Sequence, residues 1–331
     1  MKFYRDRYFW TNLLLILGFV GIIALHIKEY TVWDQIIELA RTRVSILHPH
    51  AARFAVMFPV MYVALVTKLQ PDIVFSYTIV IVMTALSFLI ARTLSITVCG
   101  NLASVRRLFP VVFPPIVLLA MVMNGRIAWA MLGIMLIISG QVALESGYCR
   151  SKWAYFLTQM VGTFFASVSS GSIMIAFLSV VTYNLVGPML QWPKIRKTDF
   201  VRLWVGSTAT LVVVPFVLIG LKKNIDFYGG DDAALTHILK HGFGRFFPTV
   251  PEIAILLVVV IATVAIVSWI VFLSKLRRGG IETPLLIAVL LACLGGIFGV
   301  STLVSCLPVV FLLILNRVLR GSVRQKQVLT A

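Results

Sequence analysis

Acidic residues are scarce. Twelve Asp and Glu stand against 29 Lys and Arg in 331 residues, and all charged types together make up 12% of the chain. A soluble domain carries about twice that share, so a water-exposed globule is excluded. Cysteine is also sparse: Cys99, Cys149, Cys293 and Cys306 fit no zinc or redox spacing and read as small core residues. No phosphate-binding Walker motif, Rossmann fingerprint or CxxC pair occurs, which argues against nucleotide hydrolysis and dithiol chemistry. Energy for any reaction then has to arrive with the substrate, and no cofactor is expected. The alternating short segments of a membrane β-barrel are missing too.

What fills the chain is hydrocarbon. The sequence is 60% hydrophobic with a mean hydropathy of +0.99. Uncharged runs such as Leu108–Gly125 and Ile127–Leu144 approach the roughly 20 residues that cross a bilayer. The expected fold is all-α: one polytopic integral membrane domain over residues 1–331 with about 10–11 transmembrane helices. Candidate spans are 8–27, 54–67, 73–91, 108–125, 127–144, 153–168, 172–190, 203–221, 253–274, 283–298 and 301–316. The first run, Tyr8–Ile27, lacks a small-residue cleavage site and is expected to be retained. Two stretches are too long for one span. Ser169-Ser170-Gly171-Ser172 breaks the first, and Gly295, Gly296, Gly299 and Ser301 offer a hinge in the second. Pro110, Pro114 and Pro115 fall in one span and predict a kink able to line a cavity.

The formal net charge of +17 would suggest nucleic acid in a soluble protein. Here the cations sit in short clusters at span ends: Arg92/Arg106/Arg107, Arg150/Lys152, Lys194/Arg196/Lys197/Arg202, Lys275/Arg277/Arg278 and Arg317/Arg320/Arg324/Lys326. All five fall on one side if the spans hold. The positive-inside rule makes that side cytoplasmic, together with the C-terminus, and removes the case for nucleic acid. The N-terminal charges Lys2, Arg5 and Arg7 conflict with eleven crossings. Either the N-terminus is external or one run before Arg92 does not cross. Residues 28–53 have helical apolar spacing with Asp34, Glu38, Arg41 and Arg43 interleaved, which predicts an amphipathic interfacial segment.

The external side then holds the candidate chemistry. Asn124-Gly125-Arg126 is a turn signal that leaves one guanidinium at a hairpin tip, suited either to anchor a helix end or to clamp an anion. The loop 222–252 carries Asp226, Asp231, Asp232, His237, His241, Arg245 and Glu252. A general base is sought among Asp231, Asp232, His237 and His241. His237 and His241 share a helix face, but no HExxH pattern accompanies them, so no metal site is assigned. Ser169 and Ser170 could hydrogen-bond a polar ligand, or serve only in small-residue packing. Asp34 is a candidate if the first loop is external.

Asn124-Gly125-Arg126-Ile127-Ala128, then Ser151-Lys152-Trp153, then Ala166–Ser172 resemble bacterial polysaccharide repeat-unit polymerases, the multi-span O-antigen, capsule and exopolysaccharide polymerases. The resemblance covers roughly residues 34–184, and the family's Arg-rich external loop finds only a partial counterpart in 222–252. It implies glycosyl transfer at the periplasmic face of the bacterial inner membrane. The donor is a glycan on undecaprenyl pyrophosphate and the acceptor is the next lipid-linked oligosaccharide repeat unit. It further implies that Arg126 and Arg245 hold the pyrophosphate, with Asn124, Ser169, Ser170 and Asp34 as further substrate contacts. The partners it implies are membrane lipids, a flippase and a chain-length regulator. The same features suit a transporter or lipid flippase, another membrane glycosyltransferase, or a scaffold in which each arginine only sets topology.

Overall fold

A computed structural model describes residues 7–26, 51–122, 125–169, 171–191, 196–227, 229–230, scattered positions between 255 and 268, 280–295 and 300–330. Its elements are all helical: α1 (Arg7–His26), α2 (Ala51–Thr67), α3 (Pro71–Cys99), α4 (Val105–Val122), α5 (Gly125–Glu145), α6 (Lys152–Ala166), α7 (Ser172–Leu190), α8 (Lys197–Phe227), α9 (Thr283–Gly295), α10 (Val300–Ser305) and α11 (Leu307–Thr330). The chain is an all-α polytopic membrane protein. Among the described residues, α3, α5, α7 and α8 contain stretches long and apolar enough to cross a bilayer, and α1, α2 and α9 contain shorter ones. The large exposed side chains of α3 and α8, such as Ile81, Phe88, Leu211 and Phe216, are hydrocarbon, as a lipid-facing surface requires.

Local chemistry sets the helix ends. Pro71 opens α3, where a missing N–H costs nothing, and Gly100 closes it in the left-handed conformation at φ 64°. Ser151 Oγ caps α6 by accepting from the Ala154 N–H. Inside the apolar helices, Thr78, Thr84, Ser87 and Thr93 return their hydroxyls to the carbonyl four residues back, so none needs a water. Pro110, Pro114 and Pro115 all sit within the single helix α4.

The central helix is α5, almost wholly buried and packed on α3, α4's partner, and on α6. Against α6 it makes a backbone-to-backbone contact. A Cβ at Gly133 would lie 2.4 Å from the Ala166 nitrogen and 2.5 Å from the Gly162 oxygen. Small residues at such a crossing let two helices approach without side chains between them. Gly133→Ala is therefore expected to push α5 and α6 apart and destabilise the protein by about 1–3 kcal/mol. Thermal unfolding of the purified protein checks this, with Gly321→Ala, which meets nothing within 4 Å, as the unaffected control.

Among the described residues, cations of the clusters at Arg106/Arg107, Lys152 and Arg320 mark one end, here termed the basic face; Lys275, Arg277 and Arg278 lie outside the described residues. Asn12 Nδ2 bonds the Arg106 carbonyl at 3.3 Å and the Arg107 guanidinium lies over the Tyr8 ring, so α1 starts there. Arg320 donates to the Thr97 carbonyl and to Glu282 Oε1 at 2.6 Å, which brings α11 and the start of α9 to the same face. Lys152 Nζ sits 5.4 Å from the Trp204 ring, and Trp204 packs edge-on against the exposed Trp153, an aromatic belt of the type found at membrane interfaces.

The described part of α2 bears on the parity conflict at the N-terminus. Its first turn takes in Ala51–Arg53, and Arg53 Nε donates to the Val168 carbonyl at 3.0 Å, beyond the end of α6. Its last residue, Thr67, leads through a turn with Lys68 at φ 57° into the end of α3 whose Phe75 packs on Gly125. Both ends of α2 lie in the half away from the basic face. The run 54–67 thus lies away from the described basic clusters. Residues 28–50 of the amphipathic segment lie outside the described residues.

A buried polar network ties α5, α7 and α8 near the basic face. In α7 the turn Thr182–Val186 is a π-helix, and the Gly187 N–H reaches back to the Thr182 carbonyl. That leaves the Tyr183 carbonyl without its usual donor, and the next candidate, Pro188, has no N–H. Arg202 takes the place of both: its Nε, at 3.1 Å, and its Nη2 donate to the Tyr183 carbonyl. A Cβ at Gly187 would lie 2.3 Å from Arg202 Nη2, so glycine makes room for the guanidinium. Arg202 Nη1 pairs with Asp199 Oδ1 at 2.8 Å, with both side chains out of solvent. Arg196 bridges Asp199 and Glu145, and the Tyr183 hydroxyl donates to Glu145 Oε2 at 3.0 Å. Burial by itself would lower the Arg196 pKa, but its bonds to Glu145 and Asp199 more than offset this and hold it above the ordinary value. Gln141, Gln159, Tyr155 and Asn184 extend the network across α5, α6 and α7.

Candidate functional site

Away from the basic face two helix breaks meet. The first separates α6 from α7. After Ala166 the chain turns through Ser167, Val168 and Ser169, with the Ser169 N–H on the Ala166 carbonyl at 3.2 Å and the Ser172 N–H on the Ser169 carbonyl at 2.9 Å. Gly, Ser and the lack of a continuous apolar face stop the helix here, as the sequence predicts. The second lies at the turn at Cys306, between the short α10 and α11. Residues 296–299 of the hinge expected at Gly295, Gly296, Gly299 and Ser301 lie outside the described residues.

The breaks touch through hydroxyls. Ser172 Oγ donates to Ser305 Oγ at 2.8 Å, and both residues are buried. Thr302 is 0% exposed and presses its hydroxyl on Gly171, where a Cβ would lie 1.9 Å from Thr302 Oγ1. Among the described residues, that oxygen has no hydrogen-bond partner. Arg53, 7% exposed, reaches the same turn from α2 through the Val168 carbonyl. An arginine in hydrocarbon is costly and normally faces protein or a polar cavity.

Of the residues expected at the site, Arg126 and Ser169 are described. Arg126 is half-buried in the first described turn of α5, and the Asn124 of the expected turn lies outside the described residues. Ser169 is 2% exposed, in the break. The structure brings them to the same half of the molecule: Trp129, one turn below Arg126, stacks on Phe165 with ring centroids 5.0 Å apart, and Phe165 immediately precedes the break. Asn124, Ser170, Asp34, Asp231, Asp232, His237, His241 and Arg245 lie outside the described residues. Among the described residues no cluster of three His, Cys, Asp or Glu could hold a metal.

Arg53, Thr302 and Ser305 are additions. Arg53 looked like the last cation of an interfacial segment, and it is buried where α2 meets the Val168 carbonyl. Thr302 and Ser305 carry no motif and gain meaning only by packing on a break some 130 positions away in sequence. Chemically, a guanidinium and buried hydroxyls, all hydrogen-bond donors, come together around the α6–α7 turn. Neither a family model, nor a curated protein, nor a solved structure matches the chain.

Proposed function

We propose that this chain joins lipid-linked oligosaccharide repeat units in a bacterial cytoplasmic membrane. The reaction takes place at the face opposite the basic clusters, which the positive-inside rule makes periplasmic, leaving the C-terminus in the cytoplasm. The observation that carries the reading is the gathering of two arginines, Arg126 and Arg53, with a hydroxyl-lined helix break in that half of the molecule. The acceptor sugar hydroxyl attacks the anomeric carbon of the donor glycan. The bond from that carbon to the pyrophosphate oxygen breaks, and undecaprenyl pyrophosphate leaves with the electron pair. Arg126 binds the pyrophosphate through two parallel charge-assisted bonds and stabilises the charge that develops on it, with Arg245 assisting. One of Asp231, Asp232, His237 and His241 takes the acceptor proton, and Ser169 and Asn124 orient the substrate.

The meeting of two helix breaks favours a second reading, a flippase for the same lipid-linked sugars, since transporters place broken helices around their sites. Deletion of the gene separates the two. Loss of a polymerase leaves single repeat units on the surface glycolipid, whereas loss of a flippase leaves none. A gel of surface polysaccharide reads the difference, and unchanged long chains would contradict both.

A further inference from the structure

We propose that Arg92 anchors an anionic phospholipid on the lipid-facing side of α3, with the headgroup phosphodiester held between Arg92 and the α5–α6 loop. Such a site stands or falls apart from glycosyl transfer.

Arg92 is a cation inside a span. It lies within Ile73–Cys99, the stretch of α3 long and apolar enough to cross a bilayer. An ionisable residue there is expensive and marks a functional site by default, with a partner to be named. Among the described residues the chain supplies only a weak one. Arg92 Nη1 donates to Ser139 Oγ of α5 at 3.4 Å, near the limit for a hydrogen bond. The described carboxylates of the basic face are already engaged: Glu145 with Arg196 and Tyr183, Asp199 with Arg196 and Arg202, and Glu282 with Arg320. None of them pairs with Arg92, so a guanidinium rich in N–H donors calls for an anion from outside the chain.

Its position names that anion. Tyr77, Ile81 and Phe88 are exposed and precede Arg92 on one stripe of α3, at helical spacing. Arg92 is itself partly exposed, so its open side meets lipid and needs no internal cavity. The helix α3 has 29 residues, about 43 Å at the ~1.5 Å rise of an α-helix, against roughly 30 Å of hydrocarbon. A centred α3 therefore stands several ångström proud at each end. Arg92, about 10 Å below the Cys99 end, falls close to the hydrocarbon edge, where an arginine side chain reaches the phosphate level. The α5–α6 loop comes in beside it. Tyr148 donates its hydroxyl to the Gly100 carbonyl at the end of α3. Burial raises the Cys149 thiol pKa, while the Ser151 backbone bond and the Arg92 charge draw it down, which places the loop within electrostatic reach of Arg92. Arg150, next along, is exposed and adds a second cation. A phosphodiester offers the negative charge and the paired oxygens that a guanidinium binds in parallel. A zwitterionic headgroup would bring its own ammonium to two arginines, so a net-negative headgroup such as phosphatidylglycerol is the better complement.

The test uses the full chain, purified in neutral detergent. Phosphatidylglycerol and phosphatidylcholine with the same acyl chains are offered separately. Binding is read by native mass spectrometry and by the shift in melting temperature. The wild type is expected to retain phosphatidylglycerol over phosphatidylcholine and to be stabilised by it. Arg92→Gln is expected to weaken the tightest phosphatidylglycerol site about tenfold, as loss of a charge-assisted bond should, with a lipid-free melting temperature close to wild type. Arg317→Gln removes a cation from an exposed position of α11 and is expected to leave that binding unchanged. An unchanged affinity in Arg92→Gln overturns the proposal. Equal losses in Arg92→Gln and Arg317→Gln do so too, because they would show only diffuse attraction between a +17 chain and an acidic lipid. A wild type that does not distinguish the two lipids has the same consequence, and that result holds even if Arg92→Gln fails to fold. Undecaprenyl pyrophosphate is then offered in competition and is expected to leave phosphatidylglycerol in place. If it binds through Arg92 more tightly than phosphatidylglycerol, the site belongs to a substrate and its assignment to a resident lipid is overturned.

Discussion

Asp199→Ala is expected to destabilise the protein by about 3–5 kcal/mol, enough to keep most of it from accumulating in the membrane. The reason lies in what the substitution leaves behind. Arg202 is 2% exposed, and its guanidinium is fixed in place by the Tyr183 carbonyl and by stacking on the Tyr183 ring at 4.1 Å. It cannot swing out to solvent without stripping that carbonyl of the donors that replace the missing backbone ones. Without Asp199, a buried cation is left facing Glu145 only through Arg196, itself a cation. The arginine variant fails for a different reason: Arg202→Leu strips the buried Tyr183 carbonyl of its side-chain donors and leaves the buried Asp199 carboxylate with Arg196 alone. The double variant Asp199→Leu/Arg202→Leu removes the charge problem and retains only the carbonyl problem, so it should accumulate better than either single variant. Protein amount in membranes and melting temperature in detergent check the series. Single variants as stable as wild type would show that the pair contributes nothing to holding α7 on α8.

Arg126→Ala is expected to abolish glycan polymerisation while the protein still inserts, and Arg126→Lys to rescue poorly. Arg126 occupies the first turn of α5, whose buried body fixes it against α3 and α6, so the guanidinium is presented from a rigid helix. A guanidinium grips pyrophosphate with two parallel bonds, whereas an ammonium is a point charge. Losing one charge-assisted bond costs about 1.5–3 kcal/mol, a tenfold or greater loss. If Arg126 only anchors a helix end at the interface, lysine should replace it fully, because lysine snorkels as well as arginine. Complementation of a deletion strain, with chain length on a gel and protein amount by blot, distinguishes the outcomes.

How far these features could be read from sequence depends on the range of the interaction. Uncharged runs are local, and the described helices and the break between α6 and α7 follow from them. The helical state of Ala51–Arg53 was less legible, because 28–53 and 54–67 differ in polarity and these three residues belong with the apolar run. Treating Arg196 and Arg202 as topology signals concealed their second role. The pair Asp199/Arg202 has the i, i+3 spacing of partners on one helix face, and Gly187-Pro188 removes a donor from α7, but nothing local says that these two defects meet. The contacts of Thr302 and Ser305 with the α6–α7 break are long-range, and no periodicity encodes them.

The most direct measurement is reconstitution of the purified chain in liposomes with an undecaprenyl-pyrophosphate-linked repeat unit as the sole substrate, with no nucleotide added. Products are resolved on a gel and the released undecaprenyl pyrophosphate is quantified. A ladder of glycans that grows with one undecaprenyl pyrophosphate released per bond formed, and that disappears in Arg126→Ala, is the predicted result. A folded wild-type protein that leaves the repeat unit unjoined, or that only moves it across the bilayer, would contradict the assignment of glycosyl transfer to this chain.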